Sequence, residues 1–154
     1  MIKEIDFIQE SNKEYEKVKR TFKASNGKSY EISICKKIKN TIIMEIVDDL
    51  LKRSEMCKNE KIKFDIVLST YALLIKHLTD IQFKEFKQVK KQFIYEVDMI
   101  KALLDLGLLE QILKELEPGE VDKISESFKD YSYMYKKINH NIISKEIGTE
   151  ENKK

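Results

Sequence analysis

Apolar and polar residues alternate with period two early in this chain and with helical period afterwards. Val18, Arg20, Phe22 and Ala24 alternate with Lys17, Lys19, Thr21 and Lys23, and Tyr30, Ile32 and Ile34 alternate with Glu31, Ser33 and Cys35. Period two marks strands with one buried face. Ser25-Asn26-Gly27 between the runs is a turn signal, so residues 16–36 predict a β-hairpin. Its register follows from burial. A two-residue Asn-Gly loop pairs Phe22 with Glu31 and puts the two apolar sets on opposite faces. A three-residue loop, Ser25 to Gly27, pairs Phe22 with Tyr30 and Val18 with Ile34, and places every large apolar side chain on one face. A slip of one residue flips the whole set, so burial selects the longer loop. Gly27 then supplies the left-handed residue such loops need. Arg20 falls on the buried face, near the sheet edge, with its head reaching water. Upstream, Ile2, Ile5, Phe7 and Ile8 call for burial while Glu10 to Glu14 is polar. Residues 1–15 therefore read as a short strand or extended segment and a loop.

Beyond Cys35 the period is helical. Ile43, Ile46, Val47, Leu50 and Leu51 form one stripe, with Asn40 or Thr41 as cap and an end near Lys58-Asn59. Asp65 caps a second helix through Leu78. It is apolar around most of its circumference, which predicts a central helix buried on several sides. A third starts near Phe83 or Glu85 and reaches Leu106, with Phe86, Val89, Phe93, Val97, Ile100, Leu103 and Leu104 as its stripe; Gly107 stops it. Leu108 to Leu116 forms a short fourth helix, and Pro118-Gly119 breaks the chain. A fifth carries Val121, Ile124, Phe128, Tyr131, Tyr135 and Ile138. The prediction is an α+β, mostly α fold: an N-terminal β-hairpin packed against a cluster of about five helices. It forms a single domain, 1–147, with helices over about 41–142 and a polar, disordered tail at 148–154.

Composition narrows the function classes. In 154 residues, 29 cations are interleaved with 27 anions, for a net charge of +2, so the surface is mixed Lys/Glu rather than a basic field. Arg20 and Arg53 are the only arginines. Base-edge readout leans on the arginine fork, so nucleic acid is an unfavoured partner. No stretch approaches the roughly 18 apolar residues of a membrane span, and Met1 to Asp6 lacks a basic-then-apolar leader pattern. Cys35 and Cys57 are isolated, with no metal or redox spacing. A cytoplasmic protein with reduced thiols and no membrane association is expected.

Candidate chemistry is sparse. Gly27, Gly107, Gly119 and Gly148 are dispersed, and no phosphate loop, HExxH, EF-hand or GxSxG pattern occurs. His77 has Leu73 and Ile81 at four residues on either side, so it reads as a structural or surface histidine. His140 lies in a polar stretch. Asp98 and Asp105 share a helix face roughly 10 Å apart, which suits a solvated face better than acid–base work. No catalytic, cofactor or metal residue is assigned, and the chain reads as non-enzymatic. The Lys84 to Gln92 run reads as the wet side of an amphipathic helix. Phe128, Tyr131, Tyr133, Met134 and Tyr135 stand out, because a terminal helix cannot bury them all and such residues are common where proteins bind partners.

The lysine-rich hairpin, the amphipathic helix, the buried stretch Tyr71 to Thr79 (YALLIKHLT), Asp98 to Leu113 (DMIKALLDLGLLEQIL) and the closing helix together resemble the tail assembly chaperones of long-tailed bacteriophages and prophages of Gram-positive bacteria. The resemblance covers about residues 1–142 and is one of layout, without a diagnostic motif. It implies a small cytoplasmic protein that binds the helical, apolar tape measure protein during tail assembly, possible self-association, and absence from the finished virion. Two other readings remain open from the sequence: a small phage protein that inhibits a host defence system, and a lysine-rich nucleic-acid binder using Lys84 to Lys91. The first predicts a host protein as partner, the second an affinity that falls steeply with salt.

Overall fold

The computed structural model describes residues 6–127 together with 129 and 130. The expectations for Ile2, Ile5, the far end of the closing helix and the tail at 148–154 lie outside them. Strands β1 (Val18–Lys23) and β2 (Ser29–Ile34) form the antiparallel hairpin. Its register pairs Val18 with Ile34, Arg20 with Ile32 and Phe22 with Tyr30, as the burial argument selects. Ala24 N–H donates to the Lys28 carbonyl at 2.9 Å, which closes the loop over Ser25 to Gly27; Gly27 has φ 85°. Phe22, Ile32 and Ile34 are buried, while the facing-out Lys19, Thr21 and Lys23 are exposed. Arg20 is half-buried and reaches Glu115, 3.4 Å away, as its place near the sheet edge required.

The helices are α1 (Phe7–Glu14), α2 (Asn40–Asn59), α3 (Ile66–Leu78), α4 (Val89–Asp105) and α5 (Leu108–Lys114), with α6 helical over 120–127 and at 129–130. The two-strand hairpin with these helices is the mostly α, α+β arrangement expected. Asp65 caps α3, its carboxylate accepting from Leu68 N–H at 3.0 Å. Gly107 follows α4 with φ 70°. Both cysteines are buried and free.

Three local expectations are corrected. Residues 7–14 are helical rather than extended. Asp6 caps α1 by accepting from Gln9 N–H at 3.0 Å, and the helix buries none of its residues. Helix α2 begins at Asn40 with Lys39 at its cap and no side-chain cap bond, so neither Asn40 nor Thr41 plays that part. Helix α4 begins at Val89, not near Phe83 or Glu85, because the preceding backbone bonds to side chains instead. Gln92 Oε1 accepts from Phe86 N–H (2.7 Å), Gln92 Nε2 donates to the Lys84 carbonyl (3.0 Å), and the Tyr95 hydroxyl accepts from Lys84 N–H (3.2 Å). Phe83 and Phe86 set their rings edge-on to Tyr95, with centroids 6.4 and 5.1 Å away. Phe86 therefore leaves the predicted stripe, and Val89 and Leu104 point to solvent. The residues that α4 buries are Phe93, Glu96, Ile100 and Leu103.

Helix α3 explains the architecture. Its Ala72 and Ile75 join a core with the hairpin face, Ile100 and Leu103 of α4, and Leu108, Leu109 and Ile112 of α5. Its Leu73, Leu74 and Leu78 join a second core with Ile43, Ile46, Val47 and Leu50 of α2, Leu116, and Ile124 of α6. A helix shared by two cores needs apolar residues nearly all round, as its sequence has. Each such Leu or Ile stabilises the fold by about 1.5–3 kcal/mol. After α3 the chain continues beside β2. Cys35 N–H donates to the Leu78 carbonyl (2.8 Å), Asp80 N–H to the Ser33 carbonyl (3.2 Å), and Ile34 bridges Thr79.

Candidate partner-binding groove

Two sides of α3 differ in how they are closed. Toward α2 and α4 lies a charged cluster. Glu96 of α4 is fully buried, with Oε1 accepting from Lys76 Nζ of α3 at 2.6 Å and from Gln92 Nε2 at 3.3 Å; Oε2 pairs with Arg53 of α2. Burial pushes the Glu96 carboxyl up, but the Lys76 hydrogen bond and the Arg53 charge outweigh it and hold it below the ordinary carboxylate value. The Arg53 guanidinium lies 6.0 Å from the Phe93 ring centre, and its Nη1 is buried without a protein partner. Three helices thus meet on one carboxylate. The cluster sets two cations on one carboxylate, and a small cavity of about 170 Å³ lies beside it, lined in part by Arg53, Gln92, Phe93 and Glu96.

Between α3 and α6 the surface is open instead. A groove of about 270 Å³ is lined by Leu50 of α2, Ile66, Val67, Thr70 and Tyr71 of α3, and Val121, Ile124, Ser125 and Lys129 of α6. Val67 is 55% exposed and Ile66 38% exposed, although both stand on the most apolar helix of the chain. The Thr70 hydroxyl already donates to the Ile66 carbonyl at 2.6 Å, and among the described residues Lys129 is the only charged one in the lining. Small-molecule sites usually enclose roughly 300–1,000 Å³ and converge several polar groups on their ligand. This groove is smaller and offers little for a polar ligand to bond, whereas apolar side chains spaced along a docked helix match it. A larger cleft between β2 and α4, about 410 Å³, has Tyr30, Ile32, Met99 and Leu103 in its walls but also Glu31 and Asp80.

Phe128, Tyr131, Tyr133, Met134 and Tyr135 lie outside the described residues, as does His140. The described end of α6 nevertheless brings Ile124, Ser125 and Lys129 to the groove, the last of them two residues before Tyr131. His77 is half-buried, its Nδ1 lying 3.8 Å from Glu45 Oε2; burial lowers its pKa and Glu45 partly offsets this. Among the described residues no group of three or more His, Cys, Asp or Glu could hold a metal ion. Asp98 and Asp105 are exposed, and so are Lys84, Lys87, Lys90 and Lys91. Among the described residues no helix is long and apolar enough to cross a membrane. Sequence reasoning missed Glu96. The available signal was spacing, since residues 93, 96, 100 and 103 make one helical stripe and a carboxylate in its middle needs a buried cation. Comparison with known protein families, curated proteins and solved structures finds no match.

Proposed function

We propose that this protein is a non-enzymatic binding protein that holds an amphipathic helix of another protein, seating that helix's apolar side chains in the groove between α3 and α6. The observation that carries the reading is the exposure of Ile66 and Val67 beside an apolar groove that the described residues leave open, in a chain otherwise rich in Lys and Glu. Contiguous apolar surface of this kind marks sites where proteins associate. The layout's resemblance to tail assembly chaperones supplies the partner: the tape measure protein of a long-tailed phage, kept soluble in the host cytoplasm until the tail tube encloses it. Amphipathic helices that lack their final partner require an apolar receptor on a soluble carrier, and groove and charged exterior together meet that need.

The test is titration of labelled peptides covering the amphipathic helical segments of a tape measure protein into the full chain, read by fluorescence anisotropy. At least one segment should bind, and Val67→Asp should weaken it about tenfold, the cost of setting a carboxylate against an apolar side chain. Equal binding by V67D would place the site elsewhere. Failure of every segment would remove the tail-assembly reading.

A further inference from the structure

Helix α1 has an unusual standing in this fold. It has eight residues, buries none of them, and exposes Phe7 (72%) and Ile8 (77%) side by side. Isolated helices shorter than about 12–15 residues are marginal in water, so one with no buried face lacks the usual source of helical stability. Its base is anchored, because Glu14 pairs with Lys37 at 2.5 Å and Tyr15 packs on the second core. Its apolar end projects from that anchor.

We infer that α1 of one copy docks into the α3–α6 groove of a second copy, with Phe7 and Ile8 as the inserted side chains. Size, charge and exposure agree. A cavity of about 150 Å³ takes a benzene ring, so the groove's 270 Å³ accommodates a phenyl ring and an aliphatic chain together. Among the described residues the groove's one charged lining residue is Lys129, while α1 and its cap carry Asp6 and Glu10 besides the Glu14 that Lys37 holds, against a single cation, Lys13. Glu10 stands three residues from Phe7, one turn along the helix on the same face, and is the carboxylate that docking would set against Lys129. An inserted Phe buries about 150–250 Å² of its own surface. Even a reciprocal exchange of two α1 helices stays near or below the small end of stable interfaces, about 1,200 Å². The association is therefore weak and concentration-dependent. It also deepens the binding reading above and rests on the same groove, which a second copy covers until a partner helix displaces it.

Sedimentation of the full chain across the micromolar range tests this. The wild type should gain mass with concentration, and Phe7→Ala with Ile8→Ala should stay monomeric at every concentration with an unchanged melting curve, since neither side chain is buried in the monomer. Lys129→Glu should weaken association about tenfold, and adding Glu10→Lys should restore it. A wild type that is monomeric throughout, or association that survives loss of Phe7 and Ile8, overturns the inference. So does failure of the charge exchange to restore it. The same variants keep the two readings apart. Tape measure peptides that bind while the wild type never self-associates sink only the α1 docking. Self-association that obeys the charge exchange while no peptide binds sinks only the chaperone reading.

Discussion

The two flanks of α3 solve one problem in opposite ways. The flank facing α2 and α4 is bridged by a fully buried carboxylate gripped by Arg53, Lys76 and Gln92, with smaller clefts beside the bridge. The flank facing α6 is apolar and left open. Charge requires geometry: a buried carboxylate is tolerated only where its partners stand, so Glu96 fixes how α2, α3 and α4 sit together. Apolar contact requires only area, so the partner helix proposed for the open flank need offer only an apolar face of suitable shape. The molecule is specific where it is closed and permissive where it is open, and that division suits a protein that must keep its own fold while receiving another's helix.

The sharpest way to break the closed flank is Glu96→Ala. It strands Arg53, only 15% exposed, without its anion, and loss of one partner of a buried pair costs about 3–5 kcal/mol. For a domain of this size that lowers the melting temperature by roughly 10 °C, readable by calorimetry. Replacing Arg53, Lys76 and Glu96 together by Met, Met and Leu should recover most of that loss, because an apolar set of similar volume is often as stable as the ions it replaces. If the triple variant unfolds like Glu96→Ala, the cluster contributes more than placement. A middle-sized effect comes from Asp65→Ala, which removes the α3 cap beside the groove and should cost about 1 kcal/mol.

Acid should act on the Glu96 flank and on a second buried carboxylate, Glu120 at the start of α6. The carboxyls of Glu96 and Glu120 are both held below the ordinary value, against a burial effect that pushes them up, by Lys76 and Arg53 in one case and by Lys123 and the Ile38 N–H in the other. The unfolded chain then binds their protons first. Their contribution is complete above the unfolded glutamate pKa of about 4.3 and is lost as pH falls toward the lower folded values. Melting temperature should therefore drop below that pH, and Glu96→Gln should make the drop shallower; an unchanged acid limb would acquit the cluster. The smallest effect belongs to the open flank. Val67→Asp touches an exposed position and should change stability by less than about 0.5 kcal/mol, while altering binding.

These flanks were unequally legible. Hairpin register, the Asp65 cap and the Gly107 stop could all be read from sequence, because each rests on a rule spanning a few neighbouring residues. That α3 is central was also readable, since a helix apolar around most of its circumference is stable only when buried on several sides. Which arc of α3 stays uncovered was not, because that depends on where α6 lies. Glu96 is not legible because charged residues ordinarily face solvent, and its two cations come from other helices far along the chain. Helix α1 falls where the pattern predicts an extended segment and a loop, because Phe7 and Ile8 beside polar Glu10 to Glu14 show no helical period and its helicity rests on a cap rather than on burial. The start of α4 was misplaced because Gln92 and Tyr95 reach back to backbone that an amphipathic pattern assigns to helix.

The tip of the hairpin is fastened far along the chain. Ser25 N–H donates to the Leu106 carbonyl at 2.9 Å, and Gln111 Nε2 to the Lys23 carbonyl at 2.9 Å, across 88 residues. An isolated two-stranded hairpin is at best marginally stable in water. During synthesis, then, the face bearing Phe22, Ile32 and Ile34 leaves the ribosome well before the α4–α5 corner that will cover it. At roughly 5–20 residues per second, several seconds pass before that corner is made. For that interval the nascent chain shows its own apolar face to solvent, and the lysines alternating along β1 are what discourage another strand from pairing there first.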